Sequence, residues 1–586
     1  MLYRSLCICS VLFSLILADS PQTPLRDTFA SKLKPHRVAI IGAGAGGSSA
    51  SYYLNNFSQS SPFEIPLDIT VFDASPVIGG RTVTVNALDD DRYPTELGAS
   101  IFVKINHILY NATRDFGLTP STKIYQSGPD TKYQLGIWDG DTFVFKSATE
   151  DDNSSWRGWW DIAKLLWKYG WSPIRMQQLT KKVIGSFLKF YEEPLFPFQS
   201  LQEAVALTGL TAYTGSSGKE VLQEARIGQL FSREIIQAST RVNYASNLGG
   251  IHGLETLVCM AIEGALAVDG GNWQIFDEMV KASASQVFLN TTVTEVSRNA
   301  KGTFDLRTTN EHVNQHFASV AYDIVILAAP YQFANISFTP PLAQPPAKIP
   351  YVSLYVTLFT SPHRLSPSFF GLDSHADVPS AVLTTLPENL NDELGSRRGV
   401  DAVGPPRFWS VSTLRLLYPD VDGTCVGPMA NHSSAPESAE PEAEAQYLYK
   451  IFSPAPLTGT FLSSLLDFPY EPDSTTSNSD PVSSLPKDDI TWVHEKYWHS
   501  YPYEIPTETF ENFTLSFSNS DSSDPDAVSG LWYLSGMESF ISTMETNALA
   551  GMNVAKLIID RLESEMNSQS DAESFQRVKE EPEDQS

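Results

Sequence analysis

The sequence predicts an α/β fold, in which a parallel-sheet nucleotide-binding domain carries an inserted α+β domain. Three observations point to it. The first is a strand, a glycine-rich loop and a helix in succession: Arg37-Val38-Ala39-Ile40-Ile41 reads as a buried parallel strand, Gly42-Ala43-Gly44-Ala45-Gly46-Gly47 follows at once, and Ser48 to Leu54 has helical spacing. The second is a further apolar strand, Ile69 to Phe72, that ends in the acid Asp73. The third is size, because 586 residues with 42% hydrophobic content exceed what one small module needs and favour two or more domains.

Each part of the glycine loop has a physical reason. Gly42 permits the tight turn, Gly44 lets backbone amides approach a pyrophosphate, and Gly47 lets the helix pack against the strand. The helix N-terminus then attracts the negative charge, and Asp73 is placed to meet adenosine ribose hydroxyls. The polar, Pro-containing stretch Asn56 to Pro66 reads as a loop between the helix and the second strand.

With 68 acidic against 40 basic residues the formal net charge is -28, which repels phosphate backbones, so no nucleic-acid partner is expected. Arg4, the apolar run Leu6 to Leu17 and the small or polar Ala18, Asp19 and Ser20 form a secretory signal pattern over residues 1–20. Cys7 and Cys9 leave with it, which leaves Cys259 and Cys425, either paired or as free thiols, and no metal site is expected. Sequons at Asn56, Asn111, Asn153, Asn290, Asn335, Asn431 and Asn512 are candidate glycosylation sites. The expected address is the secretory pathway, ending in a lysosome or vacuole or outside the cell.

Val77-Ile78-Gly79-Gly80-Arg81 and Glu96-Leu97-Gly98-Ala99-Ser100 resemble FAD-dependent oxidases of the glutathione-reductase structural class. That resemblance makes the first domain an FAD-binding Rossmann-type domain. It implies that Gly80 and Arg81 meet the pyrophosphate, that Gly98 and Ala99 run beside the flavin, and that Val293, in the strand Asn290 to Val296, touches adenine. It also brings the buried strand Tyr322 to Leu327 back to the first domain, with Leu531 to Glu538, then Met544-Glu545-Thr546, then a helix to Leu562. The N-terminus of that last helix stabilises an electron-rich flavin ring. No second GxGxxG unit is present to hold NAD(P)H, which favours an oxidase passing electrons to O2.

Outside the cofactor segments the chain resembles prenylcysteine oxidases, also called prenylcysteine lyases. The resemblance runs from about Arg37 to about Leu562 and rests on Lys168 to Met176, Arg241-Val242-Asn243-Tyr244, Gly270-Gly271-Asn272, Asn335-Ile336-Ser337-Phe338, Trp498 to Tyr503 and Trp532 to Glu538. It implies FAD-dependent oxidation of a farnesyl- or geranylgeranyl-cysteine thioether to a prenyl aldehyde and free cysteine, with hydrogen peroxide formed from O2. Arg241 and Tyr244 are the candidates for shaping the flavin or substrate-carboxylate site, since an Arg fork suits a carboxylate. His107, His252, His494 and His499 are visible as bases, though a lone His is more often structural. The cofactor motifs alone leave open a secreted amine or amino-acid oxidase and a flavin-bearing lipid-binding protein.

Five of eleven tryptophans lie between Trp156 and Trp171. On a helix, Trp156, Trp160, Trp167 and Trp171 share a face, which serves either as a packed core face or as a greasy entrance touching membrane. The domain division follows: residues 36–100, 286–340 and 529–562 build the FAD-binding domain, 101–285 and 341–528 the substrate domain. Polar tracts Ala430 to Gln446, Pro472 to Asp488 and Ser518 to Ala527 read as surface loops, and the tail 563–586, with eight acids, as disordered. Oligomeric state is not legible.

Overall fold

A computed structural model describes residues 34–122, 133–148, 165–261, 264–310, 320–418, 445–472, 480–518 and 530–580. The signal pattern, Cys425, Asn153, Asn431, Trp156, Trp159, Trp160 and most of the three polar tracts lie outside these residues.

The chain opens with a βαβ unit. Strand β1 (His36–Ile41), helix α1 (Ala45–Ser60) and strand β2 (Leu67–Phe72) follow one another, and β1 pairs with β2 in parallel from His36 opposite Leu67 to Ile41 opposite Phe72. Helix α1 continues past residue 56, where the sequence reading placed a loop. Its polar residues bond back along the helix, Ser58 to the Asn55 carbonyl at 2.8 Å and Ser60 to that of Asn56 at 2.8 Å, so polarity there marks a solvated end of the helix.

The inserted part begins with α2 (His107–Asp115), β3 (Tyr133–Trp138), β4 (Phe143–Ala148), α3 (Ser172–Phe187), α4 (Gln237–Tyr244) and α5 (Gly253–Val258). The chain then returns through α6 (Trp273–Lys281), β5 (Gln286–Phe288), β6 (Thr291–Arg298), β7 (Phe304–Asn310), β8 (Ile324–Leu327) and β9 (Ser337–Thr339). It leaves again for β10 (Tyr351–Ser361), β11 (Ala381–Thr384), β12 (Ser410–Leu417), β13 (Gln446–Ser453) and β14 (Trp492–Pro502), and closes with β15 (Leu531–Tyr533) and α7 (Met544–Glu580).

Two sheets organise these elements. A five-stranded parallel sheet has the order β15-β8-β1-β2-β5, so its strands come from widely separated stretches of sequence. Fully buried residues such as Val38, Ile40, Val71 and Ile326 explain why these strands read as continuous apolar runs. A seven-stranded sheet has the order β14-β10-β13-β12-β11-β3-β4 and forms the floor of the inserted domain. A small sheet, β7-β6-β9, stands beside the first.

Helix α7 lies along α1 at close range. A Cβ on Gly551 would meet the Gly46 carbonyl oxygen at 2.3 Å, and Ser49 donates to the Ala548 carbonyl at 2.6 Å, so small residues on both helices set the approach. The expectation of disorder after residue 562 is corrected, since α7 runs on to Glu580. Its acids sit four residues from bases, as Arg561 and Glu565 do at 2.8 Å, and such pairs support a helix that charge alone would not.

The tryptophan stretch also departs from the packed-face reading. Trp167 is 93% exposed and Trp171 67% exposed. Among the described residues no helix is long and apolar enough to cross a membrane.

Candidate functional site

The glycine loop at the end of β1 is shaped as its sequence requires. Gly42 adopts φ +110°, a conformation that disfavours other residues, and a Cβ on Gly47 would lie 1.9 Å from the Gly42 carbonyl oxygen, so the helix can start this close to the strand only with glycine there. Asp73 holds the loop directly: its carboxylate accepts from the Ala43 amide at 2.6 Å and from the Ser75 amide at 2.7 Å. Gly44 differs from Gly47, because its Cβ would meet nothing nearer than Gly80 Cα at 3.8 Å. The space beside it is open.

That space belongs to a cavity of about 720 Å³, set between the loop and the seven-stranded sheet. Gly42, Gly44, Asp73, Gly80, Arg81, Gly98 and Ala99 line it from the N-terminal segment, and Glu538, Met544, Glu545 and Thr546 from the C-terminal one. Tyr244 lines it from α4. Gly98 has to be glycine, since a Cβ would meet the Arg81 carbonyl oxygen at 2.3 Å and the Trp498 ring at 2.9 Å. Asn272, from the Gly-Gly-Asn segment, locks this stretch by donating its side-chain amide to the Ala99 carbonyl at 3.0 Å and its backbone amide to Glu96 Oε1 at 2.6 Å.

Among the described residues, one ion pair joins the walls. Arg81 donates to both oxygens of Glu538, at 2.5 and 3.0 Å, and to the Ser500 carbonyl at 2.6 Å, while Tyr351 donates to Glu538 at 3.0 Å. Such a two-pronged pair fixes direction as well as distance. Glu545 is committed likewise: it accepts from the Ile108 and Leu109 amides at 2.9 and 3.0 Å, at the start of α2, and from the Tyr191 hydroxyl at 2.7 Å. Burial pushes its carboxyl up to about 7 against those bonds.

Two expected site residues are placed elsewhere. Arg241 is completely buried and off the cavity wall. Its guanidinium donates to Thr384 Oγ1, Asn247 Oδ1 and the carbonyls of Ala402 and Val403, and lies over the Trp409 ring, so these contacts hold the group away from the cavity and no two-pronged fork is turned toward a substrate carboxylate. It is a structural strut between α4 and the seven-stranded sheet. Val293 is packed in the core with residues such as Phe72 and Phe304, and the cavity wall does not include it. Of the four histidines only His499 reaches the wall, stacked on Phe333 at 4.7 Å.

Behind Tyr244 lies a buried trio of which the sequence singles out only His252. His252 Nδ1 accepts from the Glu255 amide at 3.0 Å, which assigns its proton to Nε2, 3.3 Å from Glu504. Burial drives His252 down to about 3 and Glu255 up to about 8, and burial with the neighbouring carboxyls raises Glu504 well above the ordinary carboxylate range. With its proton held on Nε2, His252 does not present that nitrogen to a metal ion. Cys259, next to this trio, is a buried free thiol whose pKa burial raises.

The wall fits FAD on its own geometry. Gly44 and Gly80 lie back to back on the wall, where a Cβ on Gly80 would come 3.1 Å from Gly44 Cα, the helix N-terminus of α1 points into the cavity beside them, and Trp498 Nε1 and Ser500 Oγ are buried on the wall with no partner among the described residues, which calls for a polar ligand.

Residues 152–572 match the prenylcysteine lyase family, and residues 40–116 match an NAD(P)-binding Rossmann-like domain. The chain belongs to the prenylcysteine lyase family. Among its relatives, farnesylcysteine lyase of Arabidopsis thaliana is 27% identical over 551 residues, covering 92% of this chain and 91% of the relative. Human prenylcysteine oxidase 1 is 25% identical over 547 residues, covering 90% and 89%. A solved putrescine oxidase variant aligns at TM-score 0.47 with 15% identity, over 90% of this chain and 99% of its own. Within this prenylcysteine lyase family member, the segment Lys168 to Met176 runs into the start of α3 and Arg241 to Tyr244 falls on α4, two helices that contribute cavity wall.

Gly44→Val is expected to abolish FAD binding while leaving the fold intact, because the added side chain enters the cavity and its Cβ makes only an ordinary contact, with Gly80 Cα at 3.8 Å. Flavin absorbance of the purified variant, alongside its circular dichroism melt, checks this; a normal flavin spectrum would contradict the placement.

Proposed function

We propose that this protein oxidises the thioether of a farnesyl- or geranylgeranyl-cysteine, releasing prenyl aldehyde and free cysteine, with O2 as final electron acceptor and hydrogen peroxide as its product. The observation that carries this reading is the match to the prenylcysteine lyase family over residues 152–572, which covers most of the inserted domain that shapes the cavity. When bound, FAD supplies the two-electron oxidation of the carbon attached to sulfur. Gly42, Gly44 and Asp73 would hold its adenosine and pyrophosphate side, and Gly98, Ala99 and the N-terminus of α7 its flavin side.

The protein's own task is placement and exclusion of water. Phe102, Leu109, Ile184, Phe187 and Leu188 give one side of the cavity an apolar surface suited to an isoprenoid chain, where each buried CH2 contributes about 0.8 kcal/mol. Holding the chain there fixes the sulfur-bearing carbon at the polar end. Entry into the secretory pathway belongs to the same proposal, supported by the N-terminal signal pattern and by sequons exposed at Asn111, Asn335 and Asn512.

We also propose that the substrate arrives from a lipid surface. The stretch 165–191 holds Lys168, Arg175, Lys181, Lys182 and Lys189 and no acid, in a chain of net charge -28. It exposes Trp167 and Trp171, while Ile184, Phe187 and Leu188 of the same stretch line the cavity. Exposed tryptophan beside lysine suits the interface of an anionic bilayer.

Anaerobic mixing with farnesylcysteine should bleach the flavin, and farnesal and peroxide should appear once air is admitted; NADPH alone should leave the flavin oxidised. A flavin that stays oxidised with farnesylcysteine would refute the substrate. In co-sedimentation, the protein should bind vesicles containing phosphatidylserine, and Trp167→Ser with Trp171→Ser should reduce binding about tenfold or more. Equal binding by wild type and variant would remove the proposed face.

A further inference from the structure

Among the described residues, Lys450 is a cation on the cavity wall whose Nζ forms no direct ion pair. Lys450 sits on β13, an interior strand of the seven-stranded sheet, opposite Leu358 of β10 and Ser412 of β12. Strand alternation turns Lys450 and Phe452 toward the cavity while Tyr449 and Ile451 enter the apolar core behind the sheet. The lysine is buried, and its ammonium group lies 4.9 Å from the centre of the Phe452 ring.

Its hydrogen bonds suit a neutral amine. Nζ donates to the Glu96 carbonyl oxygen at 2.7 Å and to Ser100 Oγ at 3.2 Å, which uses two hydrogens and leaves a lone pair. Both partners belong to the stretch that carries Gly98 and Ala99 along the same wall.

We propose that Lys450, as the free amine, is the base that takes the proton released when water adds to the oxidised carbon. This rests on the reading of the protein as an oxidase of prenylcysteine thioethers. The carbon bonded to sulfur gives up a hydride equivalent in the oxidation, water oxygen forms a bond to that carbon, and one water proton passes to Nζ. The carbon–sulfur bond then breaks as the hydroxyl proton moves to sulfur, giving aldehyde and thiol. One proton is left per two-electron oxidation, and the ammonium returns it to solvent.

Burial lowers Lys450 to about 8. The titratable group facing it is Glu96, which burial raises to about 7 and whose Oε2 has no partner. Elsewhere on the wall, Arg81 and Glu538 are paired, Glu545 is bound by the α2 amides, Asp73 holds the glycine loop, His499 is stacked, and Tyr244, Tyr501 and Cys259 have raised values. A lysine is protonated below its pKa and neutral above it, so kcat/KM rises with pH through about 8 and then levels. Ionised Glu96 favours the ammonium, so the limb belongs to the pair.

The test compares wild type, Lys450→Met and Lys450→Arg on farnesylcysteine. Lys450→Met should keep its FAD and melting temperature, turn over about 10²–10⁴-fold more slowly, lose the rise with pH, and regain rate with added small primary amines. Lys450→Arg should be equally slow. Turnover within a few-fold of wild type, a slowed variant that keeps the pH limb, or an effect confined to KM for substrates bearing a free carboxylate overturns the assignment. Should the variants not fold, a wild-type kcat/KM that is flat between about pH 6 and 9 overturns it as well. A wild type inert toward farnesylcysteine sinks the substrate reading and the base with it, whereas an active wild type with normal variants removes the base alone.

Discussion

Arg81 and Glu538 stand 457 residues apart in the chain, and their paired hydrogen bonds are what make one cavity out of three distant segments. Arg81 follows the Gly79-Gly80 turn, Glu538 precedes the last helix, and the same two side chains reach Ser500 of β14 and Tyr351 of β10. The cofactor domain and the seven-stranded sheet are therefore tied at one point. Arg81 keeps 34% of its side chain exposed while Glu538 keeps 1%, so the arginine faces the cavity and the carboxylate is the buried anchor. Removing one partner of such a pair leaves a charge in a low-dielectric site, which costs more than the pair itself contributes.

Around that tie, each wall has its own device for close approach. The glycine loop tolerates α1 because Gly47 lacks a side chain, α7 rests on α1 through Gly46 and Gly551, and the flavin-side stretch passes Trp498 because residue 98 is glycine. Glu545 links the start of α2 to the start of α7. These contacts put helix N-termini and backbone amides around a polar end, while aromatic and aliphatic side chains line the rest. A cofactor with an anionic middle and a substrate with a long apolar tail need those two surfaces in one space.

Local pattern revealed the parts that are local. The β1–α1–β2 unit is legible because apolar runs, glycine spacing and the acid after β2 each have one physical reading in succession. Residues that act through distant partners were not legible. Arg241 looked like a carboxylate fork, yet its four hydrogen bonds go to α4's own neighbourhood and to residues 384–403, contacts that no spacing shows. Lys450 carries no signal in the sequence, since one lysine in an apolar strand has no partner there until sheet order turns it toward the cavity. The acidic tail reads as disordered on composition, but α7 runs on into it as far as Glu580, and Arg561 just before it pairs with Glu565 inside it.

The central claim is that the Arg81–Glu538 pair assembles the FAD cavity. The direct measurement is FAD retention by Glu538→Gln, which keeps the side-chain volume and removes the charge. The account predicts that the variant folds but holds FAD about a hundredfold more weakly, equivalent to roughly 3 kcal/mol. Retention equal to wild type would contradict it.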